Sequence, residues 1–148
     1  MNAVHDVRAR LRAAEGVTAI LAAAHDAFEW MLPVLEGHED PAGAMFAAFV
    51  TAGAAAADGR DALAFAPSLP AASRISGGPA VACGRQAGPD RGSDAYAAGA
   101  AVAVVCALLV SRLAEAGSLA ADRGDQVACA DAGRSAGKVR RLLTGDGP

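Results

Sequence analysis

His25 and Glu29 lie four residues apart. On a helix that spacing makes their side chains neighbours, and a His–Glu pair could supply two ligands to Zn, Mn or Fe. Glu36 falls on the same flank about two turns later. A carboxylate-bridged di-iron bundle would need Glu-x-x-His pairs on two helices and two further carboxylates. That pattern is absent: the flank holds one histidine, and no acid occurs between Asp94 and Glu115. A solvated polar flank with a local His–Glu contact accounts for the same residues, so neither a metal ion nor a cofactor is expected.

Three other groups could carry chemistry. His38-Glu39-Asp40 resembles an acid–base cluster, but it falls at an interhelical turn, where a general base would lack a pocket and Asp40 could serve as a cap. Cys83 lies beside Arg85 in a Gly/Pro-rich stretch. A nearby cation favours the thiolate, but no base accompanies it, and His5, His25 and His38 are distant in sequence. Ser76-Gly77-Gly78 with Arg74, Arg85 and Arg91 could cradle an anion. It has no following Gly-Lys-Ser/Thr and no preceding strand, so it matches neither a P-loop nor a dinucleotide fingerprint. Cys106 and Cys129 read as buried small apolar residues.

The elements that would position these groups are helical. Val4, Val7, Leu11 and Ala14 recur at helical spacing over 2–15, with Gly16 as a break or only a weak point. Over 17–38, Val17, Ile20, Leu21, Ala24, Phe28, Met31 and Leu35 form one stripe, and Ala19, Ala23, Ala27, Trp30 and Val34 a second apolar edge. Pro33 predicts a kink or the start of the last turn. Asp40-Pro41 reads as a cap and first helical position for a helix over 41–57 that ends at Asp58-Gly59. Its large residues share one side and its small ones the other. A long loop is expected over 66–92, with four prolines and five glycines and one short turn of helix near 80–85. Ser93-Asp94 begins a helix over 94–116, apolar all round from Ala95 to Val110 and therefore expected to be buried on every side. Ser118 begins a last helix over 118–144, interrupted by Gly124, Gly133 and Gly137 and expected to be the least stable. The architecture is an all-α, Ala-rich bundle of four or five helices, one domain spanning 1–148, with one long Gly/Pro-rich loop.

Composition bounds the function classes. Of 79 apolar residues, 41 are alanine, so thin side chains must build the core. Net charge is −3, with 13 Lys+Arg against 16 Asp+Glu, which argues against a surface given over to nucleic acid. The basic C-terminus (Arg134, Lys138, Arg140, Arg141) has no interleaved aromatics, and it is expected to pack near the acidic second helix or that of a dimer mate. The N-terminus has no secretory h-region. Three cysteines make no disulfide framework, which points to reduced thiols and a cytoplasmic location. The charge-free runs Pro41–Ala57 and Ala95–Ser111, 17 residues each, sit at the lower limit for a membrane span. Sparse aromatic and basic anchors disfavour that reading.

Three helices with apolar or small residues over more than half their circumference exceed what one small bundle buries. A two-fold dimer is the common solution, with Trp30, Val34, Ala52 and Ala56 as interface candidates. The expected function is that of a non-enzymatic accessory or regulatory protein acting through protein–protein contacts, as a homodimer. The alternatives are a small metal- or ligand-binding protein or enzyme using the His25/Glu29 flank and the 66–92 loop, and a membrane-associated helical protein.

Overall fold

A computed structural model describes residues 3–38, 40–75 and 91–145. Among the described residues every regular element is a helix: α1 (Ala3–Ala13), α2 (Gly16–Glu36), α3 (Phe46–Ala64), α4 (Ala71–Ile75), α5 (Arg91–Leu119) and α6 (Arg123–Thr144). The fold is all-α, as the periodicity predicts. Four long helices close a ring in which α2 touches α3, α3 touches α6, α6 touches α5 and α5 touches α2. α1 packs across the α2–α5 edge.

The predicted stripe of α2 is its core side. Ile20, Leu21, Ala24, Phe28, Met31 and Leu35 are all inaccessible to solvent, and Ala27 from the second edge joins them. Gly16 separates α1 from α2. Its φ of +82° lies in the left-handed region that a β-carbon disfavours, so the chain turns there. The carbonyls at the end of α1 are met from outside: Arg112 of α5 donates to Leu11 O at 3.0 Å and also to Ala14 O. Pro33 sits in the last turn of α2, which continues to Glu36.

The third helix differs at both ends from its expected span of 41–57. Asp40 and Pro41 open a turn instead of the helix. The Asp40 carboxylate accepts from Ala42 N at 3.1 Å, and its carbonyl accepts from Gly43 N at 2.8 Å. Helix begins only at Phe46. At the other end Gly59 does not terminate the helix but lies buried within it, against Phe28 of α2. The small residues of α3 are its packing side: Ala52, Ala55 and Ala56 are buried with Phe49 and Leu63, which lets α2 and α6 approach closely.

Beyond α3 the chain turns through 65–70, with Ala66 and Leu69 buried, and forms the short α4. The stretch expected as a loop over 66–92 thus begins with ordered turns and a helix. Residues 76–90, including the turn of helix expected near 80–85, lie outside the described residues, and 91–92 already belong to α5, which begins at Arg91 and not at Asp94. α5 continues past Gly117 to Leu119, and Ser118 donates to Glu115 O at 2.8 Å within its last turn. The cap of α6 is Asp122, whose carboxylate accepts from Gly124 N at 2.6 Å, so the last helix begins at Arg123 and not at Ser118. Despite its glycines α6 is central. It buries Ala128, Cys129, Ala132, Ala136, Val139 and Leu143 between α3 and α5, and Gly145 at φ +71° closes it.

Candidate functional site

The polar flank of α2 does not assemble a metal site. His25 is buried, and its Nδ1 has no hydrogen-bond partner among the described residues. Glu29 faces Arg60 of α3 instead, with Nε 3.7 Å from its Oε1. Asp26 pairs with Arg10 of α1 at 3.9 Å. Two of the acids of α2, Asp26 and Glu29, are therefore met by arginines of α1 and α3. The basic C-terminal residues, expected beside them, lie on α6, which packs on α3 and α5. Among the described residues no group of three His, Cys, Asp or Glu side chains could hold a metal ion.

The His38-Glu39-Asp40 cluster is built as a helix end. His38 donates from Nδ1 to Val34 O at 2.8 Å, and its ring stacks on Phe49 with centroids 5.8 Å apart. Asp40 holds the turn that follows, and Glu39 lies outside the described residues. Cys83, Arg85 and Ser76-Gly77-Gly78 also lie outside them. Arg74 donates to Ala66 O at 2.6 Å, which fixes α4 to the turn before it. Cys106 sits in the core with Sγ 3.7 Å from the Met31 sulfur, and burial pushes its thiol up to about 12. Burial, and secondarily the charge of Asp125, push the Cys129 thiol up to about 11. Neither is poised as a thiolate nucleophile.

The four interface candidates separate. Ala52 and Ala56 are wholly buried in the monomer, so they offer no surface to a second copy. The close-packing property that singled them out serves the intramolecular seam instead. Trp30 and Val34 are half-buried against the core. Trp30 borders a shallow cleft of about 270 Å³ between α1 and α2, with Val7, Arg10, Ala23 and Asp26.

One surface departs from the sequence pattern. α5 is not buried on every side. Its inner side supplies Val102, Val105, Cys106, Leu109 and Leu113 to the core, while Tyr96, Ala100, Val104, Ala107, Val110 and Ala114 are exposed. Tyr96 is 63% exposed and Val104 46%. A groove of about 410 Å³ follows the seam between the helices. It is lined by Val110, Ala114 and Gly117 of α5 and by Gln126, Ala130 and Gly133 of α6, with Leu113 and Cys129 as its floor. The signal was in the sequence: apolar residues around a whole circumference mean burial only where neighbours exist on all sides, and a bundle of this size covers one side of α5. A second feature without a sequence signature is the buried Asp125, which accepts from Ser68 N at 2.9 Å and Ser68 Oγ at 2.5 Å. It ties the first turn of α6 to the turn before α4.

The arrangement thus offers no reacting constellation among the described residues, but it presents an uncharged apolar helix side next to a polar helix. Comparison with family models, curated proteins and solved structures returns no match for the chain.

Proposed function

We propose that this chain is a non-enzymatic helical accessory or regulatory protein that acts through surface contacts, with the α5–α6 side of the bundle as its working surface. The observation that supports this reading is the exposed outer side of α5, which carries no charged residue from Ala95 through Ser111. A contiguous exposed apolar patch is one mark of an interaction site. The cytoplasm is the compartment this reading assigns, in keeping with the free thiols Cys106 and Cys129.

Self-association is assigned to the Trp30–Val34 edge of α2, the part of the expected interface that the monomer leaves at its surface. Tryptophan at such an edge is a frequent anchor. Sedimentation velocity on the full chain tests this assignment. A dimer that Trp30→Ala weakens supports it. A monomer at all concentrations, or a dimer untouched by Trp30→Ala, removes Trp30 from any interface.

A further inference from the structure

We propose that the α5–α6 side of the bundle docks reversibly on an anionic bilayer surface, α5 lying along the interface and the basic side of α6 meeting lipid phosphates. The inference rests on the reading of this side as the working surface and names its partner.

Two independent features meet at one seam. The first is α5. Its segment Asp94–Leu119 is, among the described residues, long and apolar enough to cross a membrane. Its inner side is nevertheless the core of the bundle, packed on α1, α2 and α6. Crossing a bilayer would strip Val102, Val105, Leu109 and Leu113 from that core, whereas lying in the interface uses only the side already exposed. Tyr96, near the start of that side, has the apolar body and polar tip suited to headgroup depth.

The second feature is the charge on α6. Arg123, Arg134 and Arg141 recur at intervals of eleven and seven residues, which places them on one side of a helix, with Lys138 beside Arg134 and Arg141. All four are exposed. This side borders the groove: Arg134 is one turn from Ala130, and Arg123 is three residues from Gln126, both of which line it. Asp94, at the start of α5, is exposed, whereas the other acids nearby are engaged. Asp131 pairs with Arg134, Glu115 of α5 pairs with Arg112, and Asp122 caps α6. Lys138 and Arg141 have no ion-pair partner among the described residues. With Lys138 and Arg141 exposed and unpaired among the described residues, a molecule of net charge −3 still turns a basic side outward on α6.

An apolar helix side flanked by Lys and Arg is the pattern of an interfacial element on anionic lipid. A second copy seated on α5 would cover its apolar side but leave Lys138 and Arg141 without a counter-charge. Nucleic acid would engage the arginines but leave the apolar side of α5 without a role.

The test is flotation of the full-length protein with phosphatidylcholine vesicles and with vesicles of phosphatidylcholine mixed with phosphatidylglycerol. Binding to the mixed vesicles alone, released by raised salt, is expected. The triple variant R134Q/K138Q/R141Q is expected to bind about 100-fold more weakly, at about fivefold per basic residue. V104D, on the exposed side of α5, is expected to lose binding as well, while both variants keep the helical circular dichroism and melting of the wild type. Absence of binding, equal binding to both vesicles, binding that survives high salt, or binding indifferent to V104D would each overturn the proposal. If vesicles are ignored and V104D dissolves a dimer, the occupant is a second copy: the bilayer proposal fails and the working surface stands. If neither variant alters vesicle binding or oligomeric state, both fail.

Discussion

The ring of Phe28 occupies the space that a side chain at position 59 would need. A Cβ on Gly59 would stand 2.5 Å from both Cε1 and Cζ of that ring, and 3.0 Å from Ser135 Cβ. Phe28 is wholly buried and cannot swing away. Gly59→Ala therefore destabilises, by about 1–3 kcal/mol as overpacking does, although alanine is the better helix former. Gly133→Ala is the control. It lies in α6 with nothing within 4 Å of its added methyl, and it gains about 0.5–1 kcal/mol. Urea unfolding of the two variants reads the opposite signs, and a stabilised Gly59→Ala would refute the α2–α3 contact.

Asp125 and Ser68 are joined by two hydrogen bonds across 57 residues of sequence. Asp125→Asn keeps the size but removes the charge that strengthens both bonds, and a loss of about 1–3 kcal/mol is expected. Ser68→Ala removes only one of the two. A double-mutant cycle between these variants measures the coupling. Strictly additive effects would mean that the pair does not form.

His25 is a buried side chain whose Nδ1 lacks a partner among the described residues. Replacing it by leucine removes the unpaired group while filling similar space, so His25→Leu is expected to be neutral or stabilising, within about 1 kcal/mol. Thermal melting decides. A loss of several kcal/mol would show that the ring is hydrogen-bonded or packed in a way leucine does not replace, and the loss of a bound metal would restore the histidine as a functional ligand.

Both described thiols are held protonated by burial, Cys106 up to about 12 and Cys129 up to about 11, from an ordinary value of 9.0. The unfolded chain ionises first as pH rises, so their contribution to stability is complete below pH 9 and is lost as pH climbs through the folded values. In a Cys83→Ser background, alkylation at neutral pH is expected to be slow until denaturant is added, and stability is expected to fall above pH 9. Rapid alkylation of the native protein would show that the α5–α6 seam opens.

The helices, and most of the core of α2, were legible because a stripe such as Ile20–Ala24–Phe28–Met31–Leu35 admits one reading. The ends of α3 were not. Asp40-Pro41 has the chemistry of a helix start and of a turn, and Gly59 the chemistry of a stop and of a close contact. Only the position of Phe28 separates the two for Gly59. Small residues such as those of α3 suit any close helix approach, within a chain or between chains, so their spacing alone does not separate core from interface. The α5–α6 surface was hidden for a related reason: a uniformly apolar sequence does not state which side finds neighbours. The helical spacing of Arg134, Lys138 and Arg141 was visible, but its adjacency to α5 required the fold.

A protein that works through surface contacts needs no resident ligand. Native mass spectrometry of the purified, untagged chain reads both its oligomeric state and any bound mass. A dimer of twice the 14.6 kDa polypeptide mass, with nothing added, is expected. A stoichiometric metal or small-molecule mass would contradict it and return the question to His25 and Glu29.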